Sequence, residues 1–261
     1  MRYILILMLN ICLFSCNSKK DAVTPVSDSS SPEKKLQDAV KIYPDSIVLL
    51  QNLAAYYLDL QNFDAALSQI NTAILKDSSN AELRDNQSII YAQKGDTAQA
   101  IKSLETAVDL VAAPQYIISL GALYAQTKNP QAIAMADALL FAKNSGAEKE
   151  AYFIKGLYYS YNNEKEKAIP FFDECMSINY TFMDAYLEKA IALYDLKKYS
   201  EAATVLQKAI TIQNNYDKGY YYLGRCYEKL NQKAAAVEAY QMALAYDPNY
   251  EEAKDALSKL Q

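Results

Sequence analysis

The chain repeats itself about every 34 residues, and no other feature limits its possible folds so tightly. Ala66, Ala100, Ala168, Ala202 and Ala236 stand at spacings of 34, 68, 34 and 34, with Ala132 in the long gap. In the same register Ala73, Ala107, Cys175, Ala209 and Ala243 follow seven residues later, and Tyr57, Tyr91, Tyr124, Tyr159, Leu193 and Tyr227 precede what reads as a turn. Self-similarity at a fixed period of this length means stacked supersecondary units, each burying its apolar face on its neighbours. Hydrophobic residues make up 51% of the 261 and glycines number only six, so the material for a packed helical body is ample.

Residues 217–250 carry the motif almost complete, with Tyr220, Leu223-Gly224, Tyr227, Ala236, Tyr240, Ala243 and Pro248 in register. This resembles the tetratricopeptide repeat. The resemblance implies an all-α, right-handed superhelical solenoid of helical hairpins, with small residues where the two helices of each hairpin cross. Six repeats are placed at 47–80, 81–113, 114–148, 149–182, 183–216 and 217–250, within a solenoid spanning 33–261. A half-repeat at 33–46 opens it. The segment 251–261 closes it as a capping helix, with Ala253, Ala256, Leu257 and Leu260 on one face. Some units depart from the motif: Gln87-Ser88 and Lys189-Ala190 replace Leu-Gly, and Asn214 replaces the closing proline. Pro170 falls several residues into the second helix of repeat four, so that helix is expected to start late, near Lys167, or to bend at the proline.

Arg2 precedes an apolar run from Tyr3 to Phe14 that only Asn10 interrupts. Twelve residues make roughly 18 Å of helix, too short for a hydrocarbon core of about 30 Å. Residues 1–15 therefore read as a signal peptide. Ser15-Cys16 at its end is similar to the end of a bacterial lipoprotein signal, which implies Cys16 as the lipid-bearing first residue after cleavage. Cys12 is the rival acceptor, but Ile11 in front of it is too bulky for a cleavage site. Residues 16–32 lack periodicity and bulky apolar groups and read as a flexible tether, of which about 15 residues reach roughly 20–25 Å. The expected location is the bacterial cell envelope, lipid-anchored at the outer membrane and facing the periplasm. Asn17 in place of an inner-membrane retention aspartate, and Lys19-Lys20 ahead of Asp21, point that way.

Without a single histidine, the chain has no Ser-His or Cys-His pair, no HExxH zinc site and no histidine base. Phosphate-binding glycine loops and C-x-x-C pairs are missing as well. No catalytic residue, metal site or cofactor is expected. A net charge of −5, or −6 once Arg2 leaves with the signal peptide, argues against nucleic acid as a partner. Cys175 and Cys226 lie a whole hairpin apart in this register, too far to bridge, and read as small buried hydrophobes.

Function then falls to the groove. The resemblance implies that first helices line a concave surface where partner segments lie. It also implies a carboxylate clamp built on asparagine in some relatives, but Ala55, Ile89, Ala122, Leu157 and Ile191 stand at that place. Repeats four to six offer instead an apolar and aromatic stripe with one guanidinium: Phe153, Leu157, Tyr161, Leu187, Ile191, Tyr194, Tyr221 and Arg225. Leu157 and Ile191 are expected to face solvent there, as apolar patches on soluble proteins do at partner sites. The reading is a non-catalytic interaction scaffold, a membrane-tethered adaptor that binds envelope proteins or peptides. The alternative is an enzyme or solute-binding lipoprotein with an unrecognised site.

Overall fold

A computed structural model describes residues 31–142 and 146–260. The signal-peptide segment, Cys16 and most of the tether lie outside the described residues. Every element within them is an α-helix, and within each of two units consecutive helices pair. Two compact units divide at residue 112. The first holds α1 (Pro32–Ile42), α2 (Ile47–Asp59), α3 (Phe63–Lys76), α4 (Ala81–Lys94) and α5 (Thr97–Leu110). The second holds α6 (Pro114–Gln126), α7 (Gln131–Phe141), α8 (Glu148–Tyr161), α9 (Lys165–Ile178), α10 (Met183–Asp195), α11 (Tyr199–Ile212), α12 (Asp217–Lys229), α13 (Lys233–Tyr246) and α14 (Glu251–Ser258).

Local chemistry starts and stops these helices. Pro32 and Pro114 open α1 and α6, where a missing N–H costs nothing. Side chains of Ser46, Asn62, Asn80 and Asp96 accept from the first-turn N–H groups of α2 to α5. The turn inside each hairpin repeats one device. Gln61, Gly95, Lys128, Asn163, Lys197 and Asn231 all adopt φ between 56° and 87°. The N–H that follows each of them donates to the carbonyl of the register residue before the turn, as Gln232 does to Tyr227 at 2.9 Å and Lys198 to Leu193 at 2.9 Å. This is the Schellman closure, which satisfies carbonyls the helix would otherwise leave orphaned. Glycine fills the left-handed position only at residue 95.

Packing explains the period. Ala66, Ala100, Ala132, Ala168, Ala202 and Ala236 are completely buried, as are Ala73, Ala107, Cys175, Ala209 and Ala243. Helix crossings set residue size in pairs. A Cβ on Gly156 would sit 2.5 Å from the ring of Phe172, and one on Gly224 would sit 2.6 Å from that of Tyr240. At the same offset elsewhere, Ala54 stands with Ile70, Ser88 with Leu104 and Ala190 with Leu206, all buried. The smaller first residue goes with the larger second one.

Polar stitches join successive hairpins within each unit. Gln87 donates to Asn71 at 2.7 Å, Lys155 pairs with Asp137 at 2.6 Å, and Lys189 with Asp173 at 2.5 Å. Gln87, Lys155 and Lys189 occupy the place that Leu53 and Leu223 hold in other hairpins, so the loss of leucine is matched by a partner on the neighbour.

Pro170 behaves differently from expectation at the start of its helix. The late start near Lys167 does not occur: α9 begins at Lys165 and carries Pro170 inside it. Both Pro170 and Glu166, whose carbonyl loses its helical donor, are exposed, where solvent can satisfy such a carbonyl. At the far end α14 is eight residues long and packs on α13 through Ala253, while Ala256, Leu257 and Leu260 are only half-buried.

Candidate functional site

Of the eight residues expected to bind partners, three are core. Phe153, Leu157 and Leu187 keep 4%, 3% and 2% of their surface, which overturns the expectation that Leu157 faces solvent. Phe153 wedges between the rings of Phe172 and Phe182, with centroids 5.9 and 4.9 Å away. Leu187 lies on α10, which buries eight of its thirteen residues because α8, α9, α11 and α12 all pack on it. Neighbouring hairpins therefore cover positions that one hairpin alone would leave open. Tyr161, Ile191, Tyr194, Tyr221 and Arg225 are half-buried, and Ile191 packs against the α10–α12 core.

The accessible residues converge on Arg225. Its guanidinium lies 4.7 Å from the ring of Tyr194 on α10, and 5.2 and 5.8 Å from Tyr222 and Tyr221 one turn back on α12. Three faces around one cation hold it by electrostatic attraction to the ring quadrupoles. Tyr221 continues the aromatic surface, with centroids 4.9 Å from Tyr250 and 5.9 Å from Tyr240. Burial pushes the phenols of Tyr221 and Tyr222 up, so they stay neutral at physiological pH and carry no charge to pair with the arginine. Among the described residues Arg225 forms no ion pair.

Beside this cluster a cleft of 270 Å³ opens between α12, α13 and α14. Tyr221 and Arg225 form one wall, and Glu228, Glu252 and Asp255 give it an acidic rim with Lys259 at the edge. Tyr240 lies fully buried at the cleft and makes no hydrogen bond within 3.5 Å, while burial and the nearby Glu228 carboxylate oppose its ionisation. The arrangement offers flat aromatic contact, one oriented donor fork and mixed charge. It suits a peptide segment better than a reaction.

Sequence reading reached Tyr194, Tyr221 and Arg225 but missed Tyr222 and Tyr250. The i,i+3 spacing of Tyr222 and Arg225 on one helix was a usable signal. The contribution of α14 to the cleft rim had none, since that segment reads only as a cap. Cys175 and Cys226 are both free and buried, and burial pushes their thiols up to about 12, so neither is a reactive nucleophile.

Comparison with known proteins matches this architecture. Family profiles described as tetratricopeptide repeat match residues 52–117, 149–182 and 193–260. The wheat Hsp70-Hsp90 organizing protein is 29% identical over 93 residues, which cover 36% of this chain and only 16% of that protein. An uncharacterized protein of Methanocaldococcus jannaschii is 29% identical over 66 residues, 25% of this chain and 77% of its own length. Among solved structures, a tetratricopeptide repeat protein from Parabacteroides merdae superposes with TM-score 0.72 at 19% identity, covering 87% of this chain and 90% of that one. PilW, a type IV pilus biogenesis factor, gives 0.66 at 18% identity, covering 81% and 98%. At these identities the likeness shows the fold alone. Motif, paired helices and matched profiles agree: the chain belongs to the tetratricopeptide-repeat family, whose members are generally non-catalytic scaffolds that bind peptides and proteins.

Proposed function

We propose that this chain is a lipid-tethered adaptor of the bacterial envelope, anchored through Cys16 at the outer membrane and holding periplasmic partner proteins with the surface built on α10, α12 and α14. The observation that carries the reading is Arg225, half-buried among Tyr194, Tyr221 and Tyr222 without an ion pair. Tyrosine and arginine dominate binding hot spots, because one supplies rigid apolar area and the other a donor fork that fits a carboxylate or a backbone carbonyl. A partner segment with an acidic or carbonyl-rich turn beside aromatic residues fits this wall. The enzyme or solute-binding reading has less behind it. The 270 Å³ cleft is open and smaller than the roughly 300–1,000 Å³ usual for small-molecule pockets.

The test uses the full-length chain in its native membrane, with crosslinking and mass spectrometry to identify its neighbours. Arg225→Gln, with an unchanged melting temperature, should lose most crosslinks. Cys16→Ser should release the protein from membranes while it stays folded. Retention of every crosslink by Arg225→Gln would move the binding surface elsewhere, and a Cys16→Ser protein still membrane-bound at high salt would defeat the lipid anchor.

A further inference from the structure

The second hairpin of the first unit puts a cation where the other hairpins keep an apolar or aromatic residue. Arg84 stands at the place of Leu50, Ile117, Tyr152, Tyr186 and Tyr220, and Gln87 replaces a leucine one turn on. A cleft of 190 Å³ lies there between α4 and α5. Its base is fixed by hydrogen bonds. Gln87, only 8% exposed, donates to Asn71 at 2.7 Å and accepts from the Ser103 hydroxyl at 2.9 Å. The Thr106 hydroxyl is spent on the Lys102 carbonyl at 3.0 Å.

What remains facing the cleft is a set of donors. Arg84 makes one long contact, Nη1 to Gln87 Oε1 at 3.4 Å, and its Nε is buried with no acceptor. An unmatched buried guanidinium N–H is costly, and here its group sits beside open space rather than beside a carboxylate. Lys102 and the Gln99 amide complete the rim from α5, and Tyr91 closes it from α4. No carboxylate lines the cleft, and among the described residues neither Arg84 nor Lys102 forms an ion pair. In a chain of net charge −5, this is a local reversal of sign.

From the unmatched Arg84 Nε and the two cations at a cleft with no acid, we infer a site for a small tetrahedral dianion, inorganic phosphate or a compact phosphate monoester. A dianion balances both positive charges, whereas a single carboxylate leaves one over. A guanidinium is a planar donor fork, which makes arginine–phosphate pairs strong and directional. The cleft volume is ample for a phosphate group. The site does not depend on the adaptor reading, since its residues lie on α4 and α5.

Inorganic phosphate, titrated at constant ionic strength and pH 8 into the full-length chain in detergent, is the probe, read by a saturable rise in melting temperature and by calorimetry. Wild type is expected to bind phosphate, with sulfate competing and acetate at equal concentration having no effect. Arg84→Gln should weaken binding at least about tenfold, the loss for one charge-assisted hydrogen bond. Arg84→Leu restores the residue of the first hairpin, so it should keep the fold and lose the site. Lys102→Gln, at an exposed position, should weaken binding several-fold with no change in stability. The inference is overturned if wild type shows no saturable phosphate response, if the arginine or lysine variants respond as wild type does, or if acetate binds equally well.

Discussion

The two units solve one packing problem with different side chains. In residues 31–112 the tyrosines are Tyr43, Tyr56, Tyr57 and Tyr91, and apart from Tyr3 the rest of the chain's 23 lie beyond residue 112. The first unit fills its hairpins with aliphatic pairs, Ala54 with Ile70 and Ser88 with Leu104, and uses a polar network at Gln87. The second uses glycine against a ring at Gly156 with Phe172 and at Gly224 with Tyr240. A large ring needs a missing Cβ, while a branched aliphatic chain tolerates alanine or serine. The period is therefore indifferent to chemistry as long as summed volume is conserved. Surface consequences follow. Excess aromatic residues in the second unit spill outward around Arg225, whereas the first unit exposes donors at Arg84.

Gly224→Ala gives the sharpest test of that volume rule. Its methyl would meet a fully buried Tyr240 ring at 2.6 Å, so a loss of about 2–3 kcal/mol is expected in denaturant unfolding. Adding Tyr240→Leu recreates the Ala190–Leu206 combination and should recover much of that loss, although Tyr240→Leu alone opens a cavity. Strict additivity of the two changes would break the comparison.

Glu188 separates the units in a second way, as a buried carboxyl on α10, whereas Asp85 on α4, the first unit's carboxyl raised by burial, is only half-buried. Burial is the main cause of its pKa of about 7, raised from 4.5; Lys165 opposes the shift, while Asp184 and Asp195 add to it. Because the folded form holds its proton more tightly than the unfolded one, its contribution is present below pH 4.5 and is lost as pH rises to about 7. Glu188→Gln should match wild type in melting temperature near pH 4.5 and exceed it at pH 8, by about 2 kcal/mol. An equal difference at both pH values would place the carboxylate in contact with water.

The smallest effect concerns the turns, where the units should behave alike. Lys197 holds φ 61° and Gln61 φ 56°. A left-handed non-glycine residue costs about 1–2 kcal/mol, and glycine returns part of that as added freedom in the unfolded chain. Lys197→Gly and Gln61→Gly should each stabilise by a few tenths to about 1 kcal/mol. A fall in melting temperature for either would show that its side chain does more than occupy the turn.

Much of the fold was legible because the period is a property of single residues. Ala66 through Ala236 mark crossings that only small side chains permit, and Tyr57 through Tyr227 mark the carbonyls that close each turn. The proposed binding surface was less legible. Leu157 and Leu187 sit at groove positions by register, yet neighbouring helices bury them, and no rule within one repeat counts how much a neighbour covers. Arg225 was readable as an odd charge in an aromatic stripe, while Tyr250 and Glu252 reach the same cleft from a segment with no motif.

By itself the sequence determined the class of fold and the place of each small residue, since a repeated register makes every unit report on the others. Tertiary structure decided which side chains remain for partners, which ring each glycine must accommodate, and where Arg84 and Arg225 stand without an ion pair among the described residues. Those outcomes depend on distances between helices far apart in the chain, and burial and pairing are properties of such neighbours rather than of the residue alone.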